Sequence, residues 1–125
     1  MNTMSEDQRC FMQAGNQTTN ELNWKQVLLY QELIREEVDE LNKEIFINIT
    51  NEDILKEATD VLVVTLGLIW SMGVNPQDVW NLVQANNMAK VSDTVVKDET
   101  GKIMKSPESK ARKEKMMESI RCLLK

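Results

Sequence analysis

The sequence contains no histidine. That absence excludes every histidine-based catalytic triad, any histidine general base and any histidine-ligated metal, since no other side chain titrates near neutrality unperturbed. A bound metal would have to rely on oxygen ligands or on the two cysteines. Those cysteines, Cys10 and Cys122, lie near opposite ends of the 125 residues and form neither a CxxC pair nor a zinc-finger spacing. They read as reduced thiols of a cytosolic protein, with a disulfide joining the two termini as the alternative. Only two prolines interrupt the chain, and both stand where a helix would start. No apolar run is long enough for a membrane span: Val61 to Trp70 is about half the required length. Met1 to Gln8 is polar and lacks the basic start and apolar stretch of a signal peptide. Net positive charge is missing as well. Fifteen Lys and Arg against twenty Asp and Glu leave a formal −5, which argues against a general nucleic-acid binder. The expectation is one soluble, cytoplasmic domain with no membrane or nucleic-acid partner.

What is present is helical periodicity and uneven charge. Forty-two per cent of the residues are apolar, enough for a single core in a chain this size. Leu22 to Glu44 reads as a long helix, with Val27, Tyr30, Ile34, Val38, Leu41 and Ile45 recurring every three or four residues. Phe46 to Thr50 reads as a link. Thr50 or Asn51 caps a second helix that stops at Gly73, with Asp53 placed for a capping box with Thr50. Asn75-Pro76 opens a third helix to about Ala89. Residues 91–105 read as a loop, and Ser106-Pro107 opens a last basic helix. Residues 1–96 carry fifteen acids and six bases, whereas residues 97–125 carry five acids and nine bases. From Val61 to Trp70 only Thr65 and Gly67 break the apolar run, so this helix needs burial on nearly all sides. A second subunit is the simplest way to supply it.

Two carboxylate pairs stand out. Glu37 and Glu40 are three apart on the first long helix, and Glu57 and Asp60 are three apart on the next. A spacing of three puts both members on one side of a helix, so two antiparallel helices could aim four carboxylates at one point. Oxygen ligands in that number suit Mg²⁺ or Mn²⁺. Glu37 lies at the border of the apolar arc and Asp60 directly precedes the apolar run, where a carboxylate is costly unless it meets a cation. Acidic residues at helical spacing also describe any solvated helix face.

These residues resemble a known signature. Glu36-Glu37-x-x-Glu40-Leu41 followed by Glu57-x-x-Asp60-Val61-Leu62 is similar to the all-α nucleoside triphosphate pyrophosphohydrolases. That superfamily includes MazG and phosphoribosyl-ATP pyrophosphohydrolase, with the dimeric dUTPases as relatives. The similarity continues through Asp60 to Gly67, Met72-Gly73-Val74, Asn87-Met-Ala-Lys90 and Gly101-Lys102-x-x-Lys105. It covers most of residues 27–105 and looks like the bacterial and phage branch. Two departures stand out: Gln84 replaces a frequent histidine three residues before Asn87, and Glu99-Thr100-Gly101-Lys102 replaces a frequent Asp-Gly-Lys.

The resemblance implies an all-α, MazG-like four-helix bundle completed by oligomerisation as a dimer or tetramer. One domain would span residues 1–125, with a metal-site core at about 22–90 and a basic loop and helix at 91–125. It implies Glu37, Glu40, Glu57 and Asp60 as ligands of Mg²⁺, or of Mn²⁺ in its place. Glu36 would be the helper acid or the base for the attacking water. Asn87 and Lys90 would approach the nucleotide, and Lys102 and Lys105 the phosphates. The implied reaction is attack at the α-phosphorus of a nucleoside or deoxynucleoside triphosphate, giving the monophosphate and pyrophosphate, in nucleotide-pool cleaning. A free deoxynucleoside triphosphate fits the downstream elements better than phosphoribosyl-ATP. The alternative reading is a non-catalytic helical dimer that binds a nucleotide or a protein partner.

Overall fold

Every regular element among the described residues is a helix. The computed structural model describes residues 2–48, 50–92, 97–102 and 108–124. Five α-helices follow one another: α1 (Met4–Ala14), α2 (Trp24–Lys43), α3 (Asn51–Ser71), α4 (Pro76–Ser92) and α5 (Ser109–Leu123). A π-helical turn, Glu44–Asn48, extends the end of α2. The chain divides into two compact units, Met1–Pro76 and Gln77–Lys125.

In the first unit the expected boundaries of the two long helices are close to those observed. Asn23 caps α2, its side chain accepting from the Gln26 N–H at 3.1 Å. Gly73 ends the α3 segment with a left-handed φ of 76°, which a Cβ would penalise. The N-terminus of α3 departs from the expected capping box. Thr50 is the cap residue, but its hydroxyl accepts from no backbone N–H. Instead it donates to Asp53 Oδ2 at 2.5 Å. The sequence reading also missed α1. This helix is capped by Thr3, which accepts from the Glu6 N–H at 3.1 Å. Its buried residues are Ser5, Gln8 and Met12, so it presents no apolar stripe to find.

The buried apolar core of this unit is small, with Met12, Tyr30 and Trp70 as its cluster and Leu33, Val64 and Leu68 packed against it. The α2 face differs from the expected one. Val27 and Tyr30 are buried, whereas Val38 and Ile45 are exposed. Leu33 joins the cluster, so the inward stripe is rotated toward Tyr30, Leu33 and Glu37.

Helices α2 and α3 run antiparallel, and three contacts fix their register. The Asn23 N–H donates to the Ser71 carbonyl at 2.8 Å. Gln26 Nε2 donates to Ser71 Oγ at 2.8 Å and to the Thr18 carbonyl at 2.8 Å. One turn further on, the Tyr30 ring lies over Gly67, in the space a Cβ would fill. The ring is held in turn by its hydroxyl, which donates to Gln17 Oε1 at 2.6 Å. Trp70 Nε1 donates to the Ser5 carbonyl at 2.8 Å and ties α1 to α3.

Helix α4 starts at Pro76, as expected, and runs on to Ser92. Within the expected loop, residues 98–102 form a tight turn. Asp98 Oδ1 accepts from the Thr100 N–H at 2.9 Å, the Thr100 hydroxyl at 2.7 Å and the Lys102 N–H at 3.0 Å. Gly101, at φ 87°, supplies the left-handed residue the turn requires. These donors hold the Asp98 carboxyl below its usual range, the Thr100 hydroxyl contributing most.

The Tyr30–Gly67 contact yields a stability prediction. Alanine normally stabilises a helix by about 1 kcal/mol over glycine. Here its methyl would overlap a buried, hydrogen-bonded ring. Gly67→Ala is therefore expected to cost about 1–3 kcal/mol in urea unfolding followed by circular dichroism. A gain in stability would mean that the ring can move aside.

Candidate metal centre

The register set by Tyr30 and Gly67 continues along the helix pair. Seven residues beyond Tyr30 on α2 is Glu37, and seven residues before Gly67 on α3 is Asp60. Seven residues are close to two helical turns, about 10 Å of rise. The same faces that pack apolar side chains at one end therefore bring carboxylates together at the other. Glu37, Glu57 and Asp60 each offer a carboxylate oxygen, and these oxygens lie within 4.8 Å of one another.

The cluster is partly withdrawn from water. The Glu57 side chain is 13% exposed and that of Asp60 32%. Glu57 Oε2 is buried and has no hydrogen-bond partner. Its neighbour Glu37 is another carboxylate, which when ionised has no proton to donate. Burial raises the Glu37 pKa above its ordinary value, and the negative charges of Asp60 and Glu57 raise it further. Lys56 acts in the opposite direction. Its Nζ is 2.7 Å from Asp60 Oδ2 and 3.3 Å from Glu57 Oε1. The two carboxylates, through their hydrogen bonds and charge, raise the lysine pKa in turn.

A divalent cation fits this arrangement. The donor set is all oxygen, as Mg²⁺ and Mn²⁺ prefer. A buried carboxylate oxygen without a donor is costly, and a cation would satisfy it.

The other sequence-expected residues fall elsewhere. Glu40 lies one turn beyond Glu37 on α2, and the helix register brings its backbone level with Glu57. Its carboxylate is instead turned to Lys43 at 3.7 Å and is 51% exposed. Glu36 is exposed and lines a shallow cavity of about 510 Å³ with Asp39, Glu40, Asn42, Lys43, Phe46 and Ile47. Asn87, on α4, is exposed and its Nδ2 donates to Gln84 Oε1 at 2.9 Å. Gln84, where relatives often carry histidine, thus holds the Asn87 amide. Lys90 is half-buried in the last turn of α4. Lys102 is exposed beside the Asp98 turn, and Lys105 lies outside the described residues. The residue that sequence reasoning missed is Lys56. Its signal was present: a lysine adjacent to Glu57 and one turn before Asp60.

Glu37 gives a pH prediction for the metal-free protein. A carboxyl whose folded pKa is raised binds protons more readily folded than unfolded. Its ionised form costs stability at neutral pH, and the cost fades as pH falls toward the ordinary value of 4.5. In chelator, Glu37→Gln should be more stable than wild type near pH 7. The two urea midpoints should converge toward about pH 4. A gap independent of pH would remove Glu37 from a cluster of mutually repelling carboxylates.

The sequence pattern of the phosphoribosyl-ATP pyrophosphohydrolase family matches residues 6–87, about two thirds of the chain. The match includes most of α1, all of α2 and α3 and all three converging carboxylates. No curated protein is matched by the sequence.

Proposed function

The chain belongs to the phosphoribosyl-ATP pyrophosphohydrolase family, and from that premise we propose that it is a Mg²⁺-dependent nucleotide pyrophosphohydrolase. Its substrate would be a nucleoside or deoxynucleoside triphosphate, released as the monophosphate and pyrophosphate. The reaction would serve nucleotide-pool cleaning in the cytoplasm. The observation that carries this reading is the convergence of Glu37, Glu57 and Asp60 at the polar end of the α2–α3 pair.

Glu37, Glu57 and Asp60 would hold the cation, joined by Glu40 when its side chain leaves Lys43. A bound divalent ion neutralises phosphate oxygens and makes water more acidic. Glu36 is the proposed base and takes the proton of the attacking water, a role that needs no histidine. Asn87 and Lys90 are the proposed nucleotide contacts, and Lys102 and Lys105 the proposed phosphate contacts, on the family's pattern. A purely binding module would gain nothing from a costly carboxylate cluster beside an apolar helix.

The active form would be a homo-oligomer. Met12, Val27, Tyr30, Trp70 and Val74 are the buried hydrophobic residues among those described. By contrast Met4, Phe11, Leu62 and Val63 are exposed. With Leu66 and other neighbours they line a groove of about 350 Å³ between α1 and α3. A second copy over this face would cover the apolar run of α3. Val64 and Leu68 face the chain's own core, so a charge there would unfold the protein. Leu62→Asp is the discriminating variant. It should leave helicity intact and convert the oligomer to monomer in light scattering.

Activity is tested by pyrophosphate release over a panel of nucleotides with and without Mg²⁺. Asp60→Asn and Glu40→Gln should each lower turnover by about a hundred-fold or more, and EDTA should abolish it reversibly. Near-normal turnover in both variants would overturn the metal-ligand assignment. Lys102→Ala should weaken nucleotide binding or turnover by about ten-fold, the scale of one charge-assisted contact.

A further inference from the structure

The position of Lys56 among the carboxylates carries a second inference, which rests on the metal-centre reading above. Its ammonium bridges Asp60 Oδ2 at 2.7 Å and Glu57 Oε1 at 3.3 Å. These are two of the three side chains that converge at the site, and the third, Glu37, also feels its charge. The chain thus sets a cation of its own against two of these carboxylates, while Glu57 Oε2 has no donor. Lys56 is not built into the core: its side chain is 67% exposed. Its ion pairs, reached by a flexible four-carbon stem, are of the kind that contributes little and exchanges readily.

A divalent ion drawn to the unpartnered Glu57 Oε2 and to Asp60 would lie close to this ammonium, which holds Glu57 Oε1 and Asp60 Oδ2. Two cations within about 4 Å repel each other even in water. Binding of the ion therefore weakens the hold of Lys56 on these carboxylates and favours its release. Its Cα stays fixed on α3 next to Glu57, so the released ammonium stays within one side-chain length of the cluster. That region is where the phosphate oxygens left uncovered by the ion would lie, and they need cationic partners.

We propose that Lys56 is an exchangeable counter-ion of the metal centre. It occupies the Glu57 and Asp60 carboxylates before the divalent ion binds and contacts the substrate's phosphates afterwards. Lys56 is thus a competitor of the metal in the empty protein and a phosphate-binding residue in the substrate complex. An ordinary surface ion pair would have neither property.

The test compares wild type, Lys56→Met and Lys56→Arg. Mn²⁺ affinity of the nucleotide-free protein is read by electron paramagnetic resonance, with circular dichroism as the check on folding. Lys56→Met should bind Mn²⁺ about five-fold more tightly, the scale of one exposed ion pair. Its melting temperature in chelator should fall, because three carboxylates lose their cation. At saturating Mg²⁺ its KM for the triphosphate should rise by about ten-fold, with a smaller change in kcat. Lys56→Arg should return Mn²⁺ affinity and KM toward wild type. If wild type binds Mn²⁺ but Lys56→Met binds it equally or less tightly, the exchange is refuted while the metal centre stands. Tighter Mn²⁺ binding with an unchanged KM would refute the phosphate contact. If wild type binds no Mn²⁺, both the metal centre and the exchange are refuted.

Discussion

The first unit depends on one close approach. At Gly67 the α3 backbone has no Cβ, and the Tyr30 ring fills that space. Helix pairs slide easily when their contact is only apolar, because burial has no direction. A ring over a glycine does have direction, since one turn of slippage would force it against a side chain. The Gln26–Ser71 hydrogen bond, buried at the same end, adds a polar constraint that slippage would leave unsatisfied. Together they set which residues of α2 face which residues of α3 two turns away. The three carboxylates meet there because the register was decided at the apolar end.

That division of labour has an energetic logic. Converging carboxylates repel, and burial raises the cost of their charge. Such a cluster does not assemble for stability's sake and must be imposed by the rest of the structure. Here the imposing elements are the Tyr30 contact, the Trp70 indole bound to Ser5 and the small Met12 cluster. The protein relieves part of the repulsion locally, through Lys56. A divalent ion would relieve more of it, so affinity for the ion and stability of the metal-free chain oppose each other in the same residues.

The size of the buried core bears on assembly. Helices α1 and α2 cover only part of the apolar run from Val61 to Trp70. Tyr30, Leu33 and Met12 cover one side, and Leu62 and Val63 remain exposed on another. The apolar groove between α1 and α3 and the polar carboxylate end belong to the same helix. An assembly that covered the groove would therefore also restrain the helix that carries Glu57 and Asp60.

Much of this was legible in the sequence, for local reasons. Periodicity, Thr50, Gly73 and Pro76 mark α2, α3 and the start of α4, because each acts within a turn or two of its own position. The carboxylate spacing was equally local, and it singled out Glu37, Glu40, Glu57 and Asp60 as candidates to meet, of which Glu37, Glu57 and Asp60 converge. Helix α1 was not legible, because its inward face is Ser5, Gln8 and Met12 rather than an apolar stripe. Nor was the bridging role of Lys56, since a lysine one turn from an aspartate reads as an ordinary surface pair. Only the tertiary structure decided that Glu37 on α2 meets Glu57 and Asp60 on α3. That meeting depends on the register of two helices, and register is fixed by a contact between residues far apart in the chain, whereas the Glu40–Lys43 and Lys56–Asp60 pairs form within one helix.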